Sequence, residues 1–372
     1  MMSINNITCV IGGDHHNMLG VIRMLGEKGF KVNAIIISTS NKTFCDKSRY
    51  LDKCFFINKE EDIISKLLEF PKHTIFIPTG DDAAFILDKY YDKLKDNYIV
   101  PSIDKSSGSI YKYMNKFYQA KVLKKYNLKV ANSYVVNVDD KFKLSKKYPL
   151  ILKPLISIEG KKSDITIVDN FSELKSALLM FKKLGYKRVI IQEYLNMDYE
   201  CGLNGCSCNG KTYIPAVLKK IRRFPVNKGN VSFGKIISLK SFNYDLSPIY
   251  NFLNDINYNG LFDIEIFACG DEYYVNEINF RNSGNSYVYT KGNVNLIFIW
   301  IMMNLNKKFE EKKLISKEYY FRDEVLELKQ LMKKNISILS FLKSLYISKC
   351  SFIFSFRDFR PFLQYIINYF KR

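Results

Sequence analysis

The sequence predicts an α/β protein with an N-terminal parallel sheet, a middle α+β region and a helical C-terminal tail. Three observations support this class. Apolar runs alternate with helical spacing over the first hundred residues, hairpin-like strands come next, and the last part has helical spacing. At 372 residues the chain is long enough for two or three domains, and its 47% hydrophobic and 25% charged residues are typical of globular proteins.

The first domain, predicted at residues 1–104, contains buried strands at residues 7–13, 31–38, 73–82 and 97–102. Continuous apolar strands separated by helices are typical of a parallel sheet covered on both faces. Gly12, Gly13, Asp81 and Asp82 come after such strands, where open sheets bind ligands. The alternative is that the glycines form a turn and that Asp81 caps the next helix. The segment GGDHHN excludes a G-x-G-x-x-G dinucleotide fingerprint.

Residues 105–295 predict a different architecture, in which antiparallel strands are combined with helices and divided into two subdomains near residue 186. We expect helices at 109–126, 171–184 and 246–257, strands at 134–137, 148–154, 187–195 and 231–239, and a hairpin over 261–279. An earlier hairpin is predicted to turn at Asn209-Gly210, because both residues tolerate positive φ.

The charge balance favours anionic partners such as nucleotides, nucleic acids or an acidic membrane surface, since 57 Lys and Arg oppose 37 Asp and Glu. Three histidines make a Ser-His-Asp triad or a histidine metal site poor candidates for the chemistry. Eight cysteines without a recognisable signal peptide predict reduced thiols in the cytoplasm. Cys201, Cys206 and Cys208 are close enough to suggest zinc, but no second pair is present, and ordinary strand cysteines are the preferred interpretation.

The C-terminal extension, predicted at residues 296–372, is helical and basic. After Gln330 it contains eight Lys or Arg residues and a single acidic residue, Asp358. Phenylalanines interleave with the arginines around Arg357 and Arg360, so the tail suits a peripheral contact with an anionic membrane at the inner face. The preferred interpretation is a helical cap whose aromatic residues pack on the preceding domain, because long basic side chains commonly cover apolar surface. The sequence is also compatible with a homo-oligomer.

The strongest signal for chemistry is the hairpin LFDIEIF-ACGDE-YYVNEINFR. Residues two apart on a strand share a face, so Asp263 aligns with Glu265, and Glu277 aligns with Asn279. Such hard oxygen groups suit Mg²⁺, although alternating charge on a strand also marks a solvated face. For Glu265 to oppose Glu277, the pairing must centre on Asp271, which predicts an odd-numbered loop at residues 270–272 with one residue at positive φ.

With these residues in place, the chain resembles the ATP-grasp superfamily over roughly residues 1–295, most closely the ligases related to carbamoyl-phosphate synthetase and the carboxylate–amine ligases. The resemblance makes residues 1–104 a pre-ATP-grasp domain and residues 105–295 the ATP-grasp domain. It implies metal ligands at Glu265, Glu277 and Asn279, catalytic roles for Arg281 and Lys153, and nucleotide contacts from Lys116, Lys153, Gly160, Gln192, Glu193, Tyr194, Leu195 and Glu200. In it, Arg281 also holds the transferred phosphate, and the Gln192–Leu195 segment reads adenine through its backbone.

Two regions depart from the family pattern or match it loosely. The loop after Lys153 contains only Gly160, with Ser157 and Lys161 as further candidates for phosphate contacts. Arg222, in a basic segment similar to the family's substrate-side strand, is a candidate for holding a substrate carboxylate or phosphate; a solvated charge run is the alternative.

The resemblance implies an ATP-dependent ligase that joins a small-molecule carboxylate to an amine through an acyl phosphate. The expected cofactors are ATP and one or two Mg²⁺ ions, with Mn²⁺ as a substitute. Cell-wall or surface-polysaccharide assembly is the suggested setting, and no nucleic-acid partner is expected. The competing hypothesis is a non-catalytic protein with a degenerate ATP-grasp fold that binds nucleic acid or a membrane surface.

Overall fold

The computed structural model describes residues 7–40, 42–140, 147–160, 162–226, 229–309 and 314–370. The described strands form three sheets, one parallel and two largely antiparallel, with helices packed against them. This arrangement confirms the predicted α/β class. Within the described ranges, no helix combines the length and the apolar character that crossing a membrane requires.

The N-terminal region is a four-stranded parallel sheet in the order β3-β2-β1-β4. Its elements in chain order are β1 Ile7–Gly12, α1 His16–Gly26, β2 Lys31–Ile37, β3 Leu51–Ile57, α2 Glu60–Leu68, β4 Ile75–Pro78, α3 Asp81–Lys89 and α4 Tyr91–Leu94. Alternate side chains of β1 enter different cores: Val10 packs in the cluster that includes α1, whereas Cys9 and Ile11 pack in the cluster that includes α2 and α3. Burial on both faces explains the continuous apolar runs.

Two features of this sheet differ from the sequence prediction. The predicted strand at 97–102 joins this sheet through a single parallel bridge, between Ile99 and Ile75, and its last residue, Ser102, begins a strand that pairs elsewhere. The strand β3 was not predicted, because it lies at the sheet edge and carries exposed charged residues among its apolar ones.

The next region is a four-stranded antiparallel sheet in the order β6-β9-β7-β8. The elements from its start are β5 Ser102–Ile103, α5 Ser109–Tyr113, α6 Lys116–Lys125, β6 Ser133–Asn137, β7 Leu150–Pro154, β8 Thr166–Val168, α7 Phe171–Lys183 and β9 Arg188–Glu193. Helix α7 packs on the sheet through Leu174 and Phe181, which belong to the same buried cluster as Leu152. The single helix predicted at 109–126 is divided, since Asn115 caps a new helix that begins at Lys116.

The third and larger sheet has the strand order β15-β14-β10-β12-β13-β16-β17, with β11 paired to β10 and β5 paired to β14. Its elements up to the second hairpin are β10 Tyr199–Cys208, β11 Lys211–Tyr213, β12 Val217–Phe224, β13 Asn230–Ile237, α8 Ser247–Asp255, β14 Tyr258–Cys269 and β15 Glu272–Asn279. The predicted turn between β10 and β11 is confirmed: Asn209 has φ 50° and Gly210 has φ 70°. This sheet and the β6-β9-β7-β8 sheet face each other across the candidate site.

The C-terminal region is largely helical, as predicted, and it also adds two short strands to the large sheet. The region contains α9 Leu296–Asn304, β16 Tyr319–Arg322, α10 Glu324–Met332, α11 Ile338–Ile347, β17 Ser348–Ser351 and α12 Arg360–Phe370. Strand β16 pairs antiparallel with β13, and β17 pairs parallel with β16. These two strands were not predicted, because a four-residue strand is too short to show a period-two pattern.

The tail is also fixed to the first domain by a buried ion pair. The Nε of Arg23 in α1 lies 3.0 Å from Oδ2 of Asp358, and both side chains are almost fully buried. The guanidinium donates further hydrogen bonds to the carbonyl oxygens of Phe352, Ile353 and Asp358. A buried charge that is fully hydrogen-bonded in this way makes the tail a structural part of the N-terminal domain.

Candidate active site

A cleft of about 290 Å³ lies between the two antiparallel sheets. It brings together the candidate residues from all parts of the middle region, with the exception of Arg222. The lining includes Lys116, Lys153, Gly160, Gln192, Glu193, Tyr194, Leu195, Glu200, Glu265, Glu277, Asn279 and Arg281. These residues span 166 positions of the sequence, so their convergence in one cavity is a property of the fold.

The register of the β14–β15 hairpin opposes the paired acidic residues as the sequence analysis required. Asp263 lies opposite Asn279, and Glu265 lies opposite Glu277. The means differs from the prediction: the loop has two residues, Gly270 and Asp271, and Cys269 pairs directly with Glu272. A register shift beside Glu265 then restores the required alignment.

That shift is a β-bulge whose extra residue is Asn276. In a bulge, two residues of one strand oppose a single residue of its partner, so Asn276 and Glu277 both oppose Glu265. The side chains of Asn276, Glu277 and Glu265 all line the cleft. Gly270, the first residue of the two-residue loop, has the positive φ that the turn requires, at 60°.

Glu277 is held by two groups from outside its own sheet. Its Oε1 accepts hydrogen bonds from Lys116 Nζ and from Ser157 Oγ, at 2.6 and 2.7 Å. Burial works to raise the pKa of this carboxyl, but the neighbouring Lys116 ammonium and Ser157 hydroxyl outweigh it and lower the pKa to about 2. The carboxylate is therefore ionised at neutral pH. Lys116 is in place because it is the first residue of α6, after the Asn115 cap.

Lys153 projects from the end of β7 and is fixed by two side-chain oxygens. Its Nζ donates to Gln192 Oε1 at 2.9 Å and to Asn276 Oδ1 at 3.2 Å. Burial lowers the pKa of Lys153 to about 8, partly opposed by the charge of Glu277. The amide of Asn276 also donates to Glu265 Oε2 at 3.1 Å. Asn276, the extra residue of the bulge, therefore links the Lys153 ammonium to the Glu265 carboxylate.

A second group of charges surrounds Glu200 at the start of β10. One carboxylate oxygen accepts from Lys220, and the other accepts from Arg223 Nη1 at 2.9 Å. Burial raises the pKa of Glu200, and its cationic partners oppose this rise. Burial favours neutral Lys220, but the nearby Glu265 and Glu200 carboxylates outweigh it and raise the pKa. Lys220 is therefore charged at neutral pH, and both side chains line the cleft.

The structure places Arg222, which the sequence analysis named as a candidate for holding a substrate, outside both cavities of the site. Its guanidinium donates two hydrogen bonds to the carboxylate of Glu327 in α10, and Nε lies 3.1 Å from Oε1. The guanidinium also lies 4.3 Å from the ring centre of Phe233. Residues two apart normally share a strand face, which would have placed Arg222 beside Lys220. Irregular pairing between Lys220 and Arg223 breaks this alternation, so Arg223 lines the cleft in its place.

Arg281 connects the large sheet to the N-terminal domain. Its Nε lies 3.0 Å from Asp81 Oδ1, and its Nη1 lies 3.7 Å from Asp263 Oδ2. Burial disfavours the charged guanidinium, but Asp81 and Asp263 outweigh it and raise the pKa. Asp81 is the first residue of α3, directly after β4. Of the two interpretations left open by the sequence, capping of the helix is contradicted, because the N-cap is Gly80 and no side chain caps it, whereas Asp81 does line the site.

Part of the cleft lining is apolar. Ile151 of β7 lies opposite Ile167 of β8, and Phe267 of β14 in the other sheet also lines the cleft. At the end of β9, the N–H of Glu193 donates to the carbonyl oxygen of Asn132, and the N–H of Tyr194 donates to that of Pro149. Among the described residues, the N–H of Leu195 has no acceptor. Apolar side chains beside one unused backbone donor suit a planar heterocycle.

The loop after β7 closes the cleft on one side. A short 3₁₀ turn at Ser157–Glu159 precedes Gly160, which lines the cleft. A Cβ at position 160 would lie 2.2 Å from Pro154 Cγ, so the close approach of these two segments requires glycine. Lys161, the other candidate in this loop, lies outside the described residues.

The oxygen groups of the cleft fit a hard cation only in partnership with a ligand. Within the described part of the chain, no group of three or more His, Cys, Asp or Glu side chains is arranged to hold a metal ion by itself. Glu265, Glu277 and Asn279 supply two carboxylates and one amide oxygen. Mg²⁺ is commonly bound through one or two carboxylates together with substrate phosphates, so this donor set is appropriate for a metal that arrives with a nucleotide.

A second cavity of about 340 Å³ adjoins the cleft on the side of the N-terminal domain. The two cavities share five lining residues, which are Asp81, Lys220, Asn230, Glu265 and Arg281. His15, His16 and Asn17 at the start of α1 form another wall. Asn17 is fixed there by hydrogen bonds from its amide to the carbonyl oxygens of Thr79 and Asn282.

Sequence reasoning missed three side chains of the site, Asn276, Lys220 and Arg223. Asn276 was available as a signal, because it immediately precedes Glu277 and the pairing demanded an extra residue somewhere in the hairpin. Lys220 and Arg223 lie in a dense run of basic residues, where no pattern distinguishes a site residue from a solvated one.

No protein-family model matches the sequence, and comparison with curated proteins finds no match. Solved structures are nevertheless similar in fold. An L-amino acid ligase from Bacillus licheniformis has a TM-score of 0.66 at 16% identity, over 88% of this chain and 86% of its own. An ADP complex of N5-carboxyaminoimidazole ribonucleotide synthetase has a TM-score of 0.66 at 15% identity, over 89% of this chain and 85% of its own.

A third similar structure is biotin carboxylase from Campylobacter jejuni in complex with β,γ-ATP. Its TM-score is 0.63 at 14% identity, over 85% of this chain and 75% of the other. The three structures are ATP-grasp ligases. The chain described here therefore has the ATP-grasp fold, which confirms the resemblance found in its sequence.

Proposed function

We propose that this protein is an ATP-dependent ligase that joins a small carboxylic acid to an amine through an acyl phosphate. The observation that carries the proposal is the pair of adjoining cavities that share Arg281, Lys220 and Glu265. One cavity has the lining chemistry for a nucleotide. The other is an adjoining compartment in which an acceptor meets the nucleotide at a boundary that carries the cations Lys220 and Arg281.

The nucleotide occupies the cleft with its base at the apolar end. Ile151, Ile167 and Phe267 sandwich the adenine, and the free N–H of Leu195 donates to a ring nitrogen. Lys153 and Lys116 then lie along the phosphates. Glu200 is the candidate for the ribose hydroxyls, and its pairing with Lys220 and Arg223 fixes its orientation.

The charge of the cleft explains why a divalent cation accompanies the nucleotide. The charged side chains that line it are Lys116, Lys153, Lys220, Arg223 and Arg281 against Asp81, Glu193, Glu200, Glu265 and Glu277. These charges balance, so the roughly four negative charges of ATP need a further counter-charge, which phosphoryl-transfer sites draw from metal ions. Mg²⁺, or Mn²⁺ in its place, would be held by Glu265, Glu277 and Asn279 and would neutralise the phosphate oxygens during transfer.

The acceptor carboxylate lies in the second cavity, whose volume of about 340 Å³ is at the lower end for small-molecule sites. One carboxylate oxygen attacks the γ-phosphorus, the bond to the ADP oxygen breaks, and an acyl phosphate forms. The amine nitrogen then attacks the acyl carbon, phosphate leaves, and the amine loses a proton to solvent. Arg281 lies at the boundary, where it holds the transferring phosphoryl group and stabilises its charge. Positioning and charge neutralisation are the main contributions of the protein.

The experiment that tests this function uses hydroxylamine as a general amine. Purified protein is incubated with ATP, Mg²⁺ and individual carboxylic acids, including amino acids and sugar acids, and hydroxamate and ADP are measured together. We expect equimolar hydroxamate and ADP with one class of acid. ADP release that no acid stimulates would contradict the proposal, as would an absence of ATP binding.

A matched pair of variants connects the reaction to the site. Lys153→Met removes the ammonium at the cleft, whereas Lys129→Met removes an exposed ammonium paired with Glu272 outside it. We expect the first variant to lose hydroxamate formation and the second to retain it. The predicted setting in cell-wall or surface-polysaccharide assembly rests on the family resemblance, and the identity of the active acid in the screen tests it.

A further inference from the structure

Exposed large apolar side chains are concentrated in the chain after residue 331. Twelve of the 23 large apolar side chains that the described residues expose lie in this last part of the chain. The densest group is on α11, where Ile338, Leu339, Leu342, Leu345 and Tyr346 are exposed by 66, 79, 51, 38 and 91%. We call these five side chains the apolar face of α11.

Helix α11 turns its apolar side to the solvent, whereas packing in a globular protein turns that side to the core. The five residues have the spacing i, i+1, i+4, i+7 and i+8, which places them on one side of a helix. The side chain that α11 buries is Ser344, on the opposite side. A surface helix normally turns its apolar stripe to the core, so this outward stripe indicates an external apolar partner.

The charges around the apolar face are of one sign. Lys333 and Lys334 precede the helix, Lys343 lies within it, and Lys349 comes after it, and all four are exposed. The sequence has no acidic residue between Glu327 and Asp358. Asp358 is itself buried against Arg23. The surface is therefore apolar in the middle and purely cationic at its borders.

The apolar centre and cationic borders of this surface distinguish between two possible partners, a second copy of this chain and a lipid bilayer. In a symmetric dimer, the same patch meets itself, so Lys343 and Lys349 would face their own copies and repel them. A bilayer with anionic headgroups satisfies both features, since acyl chains accept the apolar side chains and phosphates pair with the lysines. We propose that α11 docks this protein on the surface of an anionic lipid bilayer.

A second patch in the tail has the same composition. Phe354, Phe356, Phe359 and Phe362 form a cluster of edge-to-face and tilted contacts, in which Phe356 is 90% exposed. Arg357 and Arg360 flank the cluster and are exposed. A single surface helix of ten residues binds a bilayer weakly, and a second apolar and basic contact adds to its affinity.

The test measures insertion directly through a new fluorophore. Trp300, the single tryptophan of the chain, is fully buried, whereas Tyr346 is almost fully exposed. In a Tyr346→Trp variant, we expect the emission to shift to the blue with vesicles of phosphatidylcholine and phosphatidylglycerol, and brominated acyl chains to quench it. Wild-type emission, from Trp300 alone, should not change. Pure phosphatidylcholine vesicles should give little response.

Matched substitutions identify the surface. Leu339→Ser combined with Leu342→Ser should reduce vesicle co-sedimentation by about tenfold or more, because less apolar area enters the bilayer. Leu179→Ser combined with Leu184→Ser removes two comparably exposed leucines near α7 and should have no effect. Lys343→Glu with Lys349→Glu should also abolish binding, and raised salt should weaken it.

Three results would overturn the proposal. They are equal binding to neutral and anionic vesicles, no binding to either at low salt, and a concentration-dependent dimer that the Leu339→Ser and Leu342→Ser substitutions dissociate. All of these variants lie outside the cleft, so ATP binding should persist in each. Vesicle binding and ligase activity can therefore fail independently.

Discussion

The large sheet contains two hairpins that turn in the same number of residues but pair differently beyond the turn. The β10–β11 hairpin turns at Asn209-Gly210 and pairs regularly through Cys208–Lys211, Ser207–Thr212 and Cys206–Tyr213. The β14–β15 hairpin turns at Gly270-Asp271 and also begins regularly, but a bulge interrupts it. The first hairpin presents buried cysteines, and the second presents carboxylates to a cleft.

The difference shows how a bulge adds a functional group to a strand face. An odd-numbered loop would also have placed Glu265 opposite Glu277. The bulge achieves the same pairing and adds Asn276 to that face, where its amide contacts both Lys153 and Glu265. A regular hairpin has no position for this side chain.

The largest effect is expected from the carboxylate beyond the bulge. Glu277→Gln should lower kcat/KM for ATP by about 10³-fold, because the variant removes a carboxylate that would hold Mg²⁺ against the transferring phosphates. Glu272→Gln on the same strand, before the bulge, is the control, since Glu272 is exposed and pairs with Lys129. Steady-state kinetics measure both. An equal loss of kcat/KM in the two variants would show that activity depends on the integrity of the hairpin and not on the carboxylate in the cleft.

Deleting Asn276 converts the second hairpin into a regular one like the first. The regular register would still oppose Glu265 and Glu277, so the carboxylates stay in place while Lys153 loses an acceptor. We expect the KM for ATP to rise about ten- to a hundredfold, as a hydrogen bond to a charged group is worth about 1.5–3 kcal/mol. Asn276→Ala retains the bulge and serves as the comparison. If both variants bind ATP normally, the amide has no role.

The two turns themselves should be equivalent. Gly210 and Gly270 both have positive φ, at 70° and 60°, and a Cβ at either position meets no atom within 4 Å. Gly210→Ala and Gly270→Ala should therefore each reduce the free energy of unfolding by about 1 kcal/mol, from backbone strain alone. Chemical denaturation measures this. Activity should remain normal in both, and a selective loss in Gly270→Ala would show that the turn, rather than the bulge, controls the site.

The smallest effect is expected at the cysteines of the regular hairpin. Burial raises the pKa of Cys208 to about 11 and also raises the pKa of Cys206, so both are neutral thiols at pH 7. Purified protein should contain no stoichiometric zinc by mass spectrometry, and Cys208→Ala should leave the KM for ATP unchanged. One equivalent of zinc that disappears in this variant would contradict the assignment of these residues as structural.

The sequence was informative where a pattern extends over many residues. Buried parallel strands such as Lys31–Ile37 are continuous apolar runs, and the alternation of Asp263 with Glu265 and of Glu277 with Asn279 indicated a common face. The sequence was uninformative where the strand pairing shifts by a single residue. The irregular pairing of β12 exchanges Arg222 for Arg223, and no sequence pattern marks the position of such a shift.

Edges and short elements were the other source of error. Strand β3 lies at a sheet edge and mixes charged with apolar residues, and β16 and β17 have four residues each. Their formation depends on partners that are distant in sequence, because β16 needs the open edge of β13. Tertiary pairing, and not local propensity, decides the structure of such segments.

The ion pair of Arg23 and Asp358 has a consequence for the order of events during synthesis. A guanidinium buried without its carboxylate would cost several kcal/mol, and the carbonyl oxygens that share it come from residues 352 and 353. Helix α1 therefore cannot reach its final packing until residues 352–358 have been synthesised. Arg23 waits for partners that lie 329 to 335 positions later in the chain, so the packing of the N-terminal sheet and its helix depends on the synthesis of the tail.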